Sequence, residues 1–503
     1  MISSIHGIAL STISKLGNHL NNHPWRCWAA FASLVLLVFA PSLGSSPPIW
    51  QDEVQIVDYG RAFLDPDTDW GVTWSAHKQR SLPVISYFGC VGAELCYRVS
   101  GSVLGSRAFC VTGGVACASL LFGLALMGRV GAPIAFLIAG LALLEHGLVS
   151  SYRGGRVDAW ALAIVFAGTL LVHLAVVNKD WRWLLLAGAC LAASPYFWLR
   201  GAMAIPTAVL PLVISSDVPV RRLVVWLVLL CTSTAVTMLL LLPPAWPGVQ
   251  ELLELAKSPV AEFRTVGGGA DGRTFFGLLA IVTSDIRQLL SLSVPLLLLS
   301  AAGTVAILCH RSLGVLQKVL ASAVILTTLF CHMKLATGMN PYAALYWLPL
   351  VLILAWQSLE TLHSISSPSR WNIVISVLAL LLTGHFLYNG VGRTFRGWTN
   401  YKTRGPQALK AVAEALPTTA SKIVVADWRL YFLLRERGYK PYYLFTDVDV
   451  SKRELPFPQE KMPLALKGGP KVMWTDYIES MSSSTPASVP LPMGYSLVSG
   501  GLQ

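Results

Sequence analysis

Apolar runs of about 20 residues recur from Trp25 almost to residue 391, and a run of that length can hide its backbone from lipid only by coiling into a helix. Eleven such runs are read as membrane helices: 26–44, 107–127, 131–149, 159–177, 183–197, 202–216, 223–243, 289–309, 319–336, 342–358 and 371–391. Only 13% of the 503 residues are charged, against about 25% in soluble domains, which excludes a soluble multidomain enzyme. Nucleic acid is excluded as a partner as well. Half of the net charge of +12 comes from residues 392–503, with 15 Lys+Arg against 9 Asp+Glu, and no basic block or nucleic-acid motif occurs. Nine cysteines contain no CxxC pair, so neither a disulfide framework nor a zinc site is indicated.

Lys and Arg set the orientation, because they collect in cytoplasmic loops. With the arm 1–25 inside, the cytoplasmic connections hold Arg129, Lys179 with Arg182, Arg221 with Arg222, Arg311 with Lys318, and Arg370. The first span, following an arm of low charge, reads as an uncleaved signal anchor, since Pro41 follows the small-residue cleavage position a signal peptide would use. Leu82–Val99 is apolar but broken by Glu94 and Arg98, and as a span it would invert every later loop. It is expected to lie on the outer surface as an amphipathic helix. The module 26–391 then exposes two outer loops, 45–106 and 244–288, and sends the tail 392–503 outside.

In the second loop, Gly267 to Gly269 with Asp271 and Arg273 lack a following GK[ST], so they read as a hinge rather than a phosphate loop. The tail reads as a small α/β domain: a strand at Lys422 to Asp427, a helix at Trp428 to Arg437 stopped by Gly438, and a strand at Pro441 to Phe445. Its last 20 or so residues, rich in Ser, Pro and Gly, are expected to be irregular.

The sharpest polar feature is PPIWQDEVQIVDYGRAF, Pro47 to Phe63, directly after the first span. Asp52 and Glu53 open a short helix that reaches Arg61, and two readings stand side by side. Acidic residues complement a helix N-terminus whatever the protein does. An Asp at the membrane surface can also serve as general base toward a hydroxyl within hydrogen-bond reach. A second cluster is SYRGGRVDAW, Ser151 to Trp160, where Arg153 and Arg156 lie on the outer side against the charge bias. They fit an interfacial anchor with Asp158 capping a helix, or a guanidinium site for phosphate. Three further sets are His77, Lys78 and Arg80; Tyr196, Trp198 and Arg200; and Lys334 with Asn340, Tyr342 and Tyr346. Each alone fits a snorkelling or interface residue. All fall on one membrane face, which that reading does not explain.

The acidic pair after the first span, the polar lead into a surface helix (HKQRSLPVISYFG), Arg107 near the start of the next span, the R-x-D at Arg156 to Asp158 and the late K…Y…LP pattern resemble the GT-C class of membrane glycosyltransferases. Within it the chain is similar to relatives of protein O-mannosyltransferase and lipid A aminoarabinose transferase, over roughly residues 25–390. The resemblance implies an α-helical polytopic enzyme of the bacterial inner membrane. Such an enzyme moves a sugar, with inversion, from a polyprenyl-phosphate donor to a lipid, glycan or protein acceptor on the outer side. It implies Asp52 as base, Glu53 as a supporting acid, and Arg61, Lys78, Arg80, Arg153, Arg156, Arg200 and Lys334 as partners of the donor phosphate. Asp158, His77 and Tyr342 take supporting roles. A divalent ion near His77 or Glu53 is compatible with these residues, but no ligand spacing demands one. Rival readings are a transporter or flippase for a lipid-linked sugar, and a silent scaffold with an exported tail.

Overall fold

The computed structural model describes residues 19–44, 47, 49, 51–65, 82–128, 131–215, 217–257, 294–335, 344–365, 368–397, 406–416, 423–444, 471–474, 488–492 and 495–498. Every one of the eleven expected runs overlaps a described helix. Among the described residues six helices are long and apolar enough to cross a membrane: Pro24–Leu43, Val103–Leu126, Asp158–Asn178, Val220–Gln250, Leu345–His363 and Trp371–Gly397. A seventh crossing is made if Ala132–Leu143 and His146–Arg153, bent by 55° at a short break, act as one span. Arg182–Phe197, Leu199–Val213, Leu296–Cys309 and Val315–Thr328 are shorter. The chain is an integral membrane protein.

Packing explains the pattern of each span. In Pro24–Leu43 the buried residues Trp28, Ala32, Val35, Phe39 and Leu43 recur every three or four positions, a single stripe turned inward. Leu34 and Leu37 on the opposite face are exposed and equally apolar, as a lipid-facing surface must be. Asp158–Asn178 sits deeper, and Gly168 lets it approach Arg182–Phe197 so closely that a β-carbon there would meet Leu191 at 2.6 Å. The break at Leu144 frees a carbonyl inside the protein. Asn389 donates to it at 2.9 Å from a π-helical turn, Phe386–Gly392, and Glu145 caps the second half-helix through the Leu148 amide at 2.8 Å.

Two expectations are corrected here. The loop expected to open at residue 244 begins as helix, because Val220–Lys257 continues through Pro243, Pro244 and Pro247. Proline removes an amide donor but is tolerated in a span when neighbouring groups satisfy the backbone. Tyr196 and Tyr87 donate their hydroxyls to two other carbonyls of this stretch, Met238 and Leu241, at 2.7 and 3.3 Å, and so tie it to its neighbours, while the carbonyls that the prolines leave without a helical donor are those of Leu239, Leu240 and Pro243. The glycine-rich part of that loop, 267–273, lies outside the described residues. The end of the tail is not irregular: Ser488–Leu491 and Tyr495–Val498 form an antiparallel pair. Local composition argued for irregular structure, but the second of these strands also pairs with Lys471–Trp474, and that partner holds both in place.

With β1 (Ile423–Asp427), β2 (Lys440–Leu444), β3 (Lys471–Trp474), β4 (Ser488–Leu491) and β5 (Tyr495–Val498), the tail is a mixed sheet in the order β2-β1-β3-β5-β4. β1 runs parallel to both neighbours, joined to β2 by a short helix, Tyr431–Glu436, that ends where Gly438 takes φ 78°. Both outermost described strands carry a proline, Pro441 and Pro490, a residue that sheets tolerate at their edges and that discourages further pairing. The segment Leu82–Ser100 is a turn of 3-10 helix and a 14-residue α-helix, too short to span, with Val99 and Leu95 exposed on one side and Ala93, Glu94 and Tyr97 buried on the other.

Candidate active site

The acidic pair opens the helix Gln51–Leu64, and adjacent residues on a helix diverge by about 100°, so the two carboxylates face different neighbours. Glu53 is fully buried. Both its oxygens accept from Arg107, Oε1 from Nε at 2.7 Å and Oε2 from Nη2 at 2.8 Å, and Arg107 also donates to the Leu43 carbonyl at 3.0 Å. This bidentate pair fastens the helix to the end of the first span and the start of Val103–Leu126. Asp52 differs: its side chain keeps 23% of its surface exposed, and its Oδ2 accepts from Nη1 of Arg156. Among the described carboxylates of the cluster, Asp52 alone can meet an incoming group, because Glu53 and Asp158 are sealed.

Arg156 reaches Asp52 from the turn after His146–Arg153. Gly155 in that turn has φ 71°, and a β-carbon there would strike the Glu53 side chain at 2.5 Å. The guanidinium donates Nε to Oδ2 of Asp158 at 2.7 Å and lies 5.4 Å from the Trp198 ring. Asp158 stands at the N-terminus of its span, where the helix dipole favours negative charge. It accepts two hydroxyls as well, from Ser151 at 2.8 Å and from Tyr346. The result is a buried chain, Tyr346 to Asp158 to Arg156 to Asp52, that holds one guanidinium in a fixed place and aims one carboxylate at the exterior.

The other expected residues separate into groups. Arg153 is buried beside the site, donating to Ser42 at 2.7 Å with its guanidinium 4.7 Å from the Phe39 ring. Arg200 lies near Arg156, Asp158 and Tyr346, and its Nη1 is buried with no hydrogen-bond acceptor among the described residues. Arg61 lies about two and a half turns along the helix from Asp52, paired with Asp58 at 2.9 Å, in a second buried cluster. His77, Lys78, Arg80 and Tyr342 lie outside the described residues, and of Lys334 only the backbone, within Val315–Leu335, is described. Sequence reasoning gave no role to Arg107, Ser151 or Asp58 and preferred Tyr342 to Tyr346. The signal available for Tyr346 was its place beside the K…Y…LP pattern; for the Arg107 pairing there was none. No group of three or more His, Cys, Asp or Glu side chains able to hold a metal ion occurs among the described residues. Glu53, with both oxygens on Arg107, is poorly placed to ligate one.

No protein-family model and no curated protein sequence matches the chain. Solved structures do. The fold is similar to that of ArnT from Cupriavidus metallidurans, a lipid A aminoarabinose transferase of the GT-C class. The apo structure of that enzyme superposes with a TM-score of 0.56 at 15% identity, covering 94% of this chain and 98% of ArnT. The structure of the same enzyme bound to undecaprenyl phosphate gives 0.55 at 16% identity, over 95% and 98%. Because the likeness to ArnT takes in nearly the whole of both chains, it includes the tail as well as the spans.

Proposed function

We propose that the protein is an inverting glycosyltransferase that moves a sugar from a polyprenyl-phosphate donor to an acceptor hydroxyl, with Asp52 as general base. The observation that carries the reading is the Asp52–Arg156–Asp158–Tyr346 chain, one exposed carboxylate beside a buried, hydrogen-bonded guanidinium. The ArnT-like fold, and the undecaprenyl phosphate bound to that enzyme, support the choice of donor. The acceptor oxygen attacks the anomeric carbon as its proton passes to Asp52. The bond from that carbon to the phosphate oxygen breaks, and its electron pair leaves with the polyprenyl phosphate. One base suffices for such a transfer, whereas hydrolysis uses a pair of carboxylates flanking the anomeric centre. Arg200, with a buried donor to spare, and Arg156 supply fixed positive charge where the phosphate gains negative charge.

We place the site and the tail on the outer face of a bacterial inner membrane, following the Lys and Arg bias of the loops. The acceptor is a lipid, glycan or protein, and the donor sugar a hexose or pentose. The test is release of undecaprenyl phosphate by purified protein in detergent, from a panel of undecaprenyl-phosphate-linked hexoses and pentoses with an envelope lipid and glycan extract as acceptor. Acceptor-dependent release is expected, reduced by roughly 10²-fold or more in Asp52→Asn. Transport of the lipid-linked sugar across sealed vesicles with no release in detergent would overturn the reading in favour of a flippase.

A further inference from the structure

A second buried polar cluster lies further along the helix that carries Asp52, from its middle onward. Asp58 is 1% exposed, and its Oδ1 accepts from Arg61 at 2.9 Å and from the hydroxyl of Tyr431 at 2.6 Å. Tyr431 belongs to the tail, on the short helix Tyr431–Glu436, and is itself fully buried. One turn further on, Arg435 grips Glu94 with two parallel bonds of 2.8 Å, and its guanidinium stacks 4.2 Å from the Tyr97 ring. Glu94 also accepts from Arg98 at 2.7 Å, which reaches Asp65 at 2.9 Å just past the end of Gln51–Leu64. Phe432 adds an apolar contact to Tyr97 at 5.5 Å.

The helix of the tail therefore lies across two helices, Gln51–Leu64 and Tyr87–Ser100, and those two are already locked together. Gly60 is the point of contact: a β-carbon there would stand 2.1 Å from the Cys90 carbonyl and 2.6 Å from Cβ of Glu94. A helix rises 1.5 Å per residue, so Asp58 sits about 9 Å along the axis from Asp52, on the same rigid rod. Glu53–Arg107 fixes the near end of that rod. Tyr431 fixes its middle through Asp58, Arg435 fixes the neighbouring helix Tyr87–Ser100 through Glu94, and neither is bonded to Asp52.

We propose that Tyr431 and Arg435 are positioning residues, through which the tail sets the placement of the helix bearing Asp52 and hence of the carboxylate that takes the acceptor proton. The inference rests on the reading of Asp52 as base. Glu53 is the pivot, so loosening the grip at Asp58 acts on Asp52 chiefly by letting the rod rotate about that point and re-aim the neighbouring carboxylate, and a few tenths of an ångström there is enough to lengthen a proton-transfer hydrogen bond. The chemical step, not capture of the lipid, should then respond. The tail thereby acquires a role in a protein whose other described site residues all belong to the membrane module.

The experiment uses the full-length protein in detergent and measures three things: turnover in the release assay, affinity for undecaprenyl phosphate as probe, and melting temperature. Tyr431→Phe removes one oxygen and keeps the ring, and Arg435→Lys keeps the charge but loses the two-pronged grip. Both should lower kcat, by about tenfold for Tyr431→Phe, while the affinity for undecaprenyl phosphate stays within about twofold. In an Asp52→Asn background, Tyr431→Phe should add less than about a twofold loss, since there is no longer a base to misplace. Wild-type kcat in Tyr431→Phe overturns the proposal, as does an undiminished loss in the Asp52→Asn background or a loss that follows melting temperature alone. Full turnover in Asp52→Asn itself is a different result, which overturns the assignment of the base.

Discussion

Arg107 holds both carboxylate oxygens of Glu53, at 2.7 and 2.8 Å, within a fully buried pair. The two acids that follow the first span are therefore not equivalent, although they are neighbours. Glu53 is a structural anchor whose lone pairs face a guanidinium, while Asp52 faces outward with one oxygen on Arg156.

Opposite outcomes follow for the two isosteric variants. Glu53→Gln breaks a buried ion pair and leaves Arg107 without its counter-charge, which costs about 3–5 kcal/mol of stability. Asp52→Asn removes a partly exposed carboxylate and should leave the melting temperature nearly unchanged while transfer falls by roughly 10²-fold or more. Thermal unfolding in detergent beside the release assay separates them; equal stability loss in both would remove the distinction.

Gly155 is a sharper test of the turn. Its φ of 71° and the 2.5 Å approach of a β-carbon to Glu53 add two penalties, a left-handed backbone and an overpacked core. Gly155→Ala should destabilise by about 1–2 kcal/mol from the backbone, with a further loss of about 1–3 kcal/mol from packing. Gly101, also at positive φ but with nothing near its β-position, should pay the backbone cost alone. Melting curves of the two alanine variants give the comparison directly.

What could be read from the sequence follows from range. That the eleven expected runs fall on helices was legible because a lipid-facing helix must be apolar over its own length, a local signal; how many of them cross was not, since among the described residues six are long and apolar enough, or seven with the bent pair. Strand β1, the short helix after it and the stop at Gly438 were legible for the same reason. The pair β4 and β5 was not, because strands of four residues owe their existence to Lys471–Trp474, and no local pattern reports a distant partner. The extension of Val220–Lys257 past Pro243 was hidden likewise: the prolines are visible in the sequence, the tyrosine hydroxyls that donate to that helix's backbone are not. At the site, Asp52, Arg156 and Asp158 stood out as residue types in a pattern. The partnerships of Glu53 with Arg107, 54 residues away, and of Asp58 with Tyr431, 373 away, are tertiary facts.

The docking of the tail has a pH signature. Burial raises the Tyr431 phenol well above its ordinary value, and Asp58 at 2.6 Å adds to the shift, while Arg435 and Arg61 oppose it. A raised pKa in the folded protein means that the stabilisation is intact below the ordinary phenol value near 10 and declines as pH rises above it. Amide exchange in residues 431–436 should accelerate above about pH 10 in the wild type. Tyr431→Phe has no phenol to ionise, so its exchange should lack that titration; an identical rise in both would assign the effect to another group.

Arg156 distinguishes a phosphate site from a membrane anchor. The guanidinium is 2% exposed, is held by Asp158 through two nitrogens and by Asp52 through a third, and lies near the buried Nη1 of Arg200. Lysine in its place keeps one charge but cannot span two carboxylates and a phosphate together. Affinity for undecaprenyl phosphate and turnover should both fall in the order wild type, Arg156→Lys, Arg156→Ala, with about 1.5–3 kcal/mol of the alanine loss in lipid binding, the range for hydrogen bonds to a charged group. The alanine variant also leaves Asp158 buried without its cation, so melting temperature must be followed in parallel. Tyr346→Phe serves as the control, removing one donor to Asp158 without touching the guanidinium. An interfacial anchor predicts a different order: lysine replaces arginine without loss, because either cation reaches the headgroup layer. Lipid binding that is unchanged in a folded Arg156→Ala protein would remove this arginine from the donor site and shift the phosphate-binding role to the neighbouring Arg200.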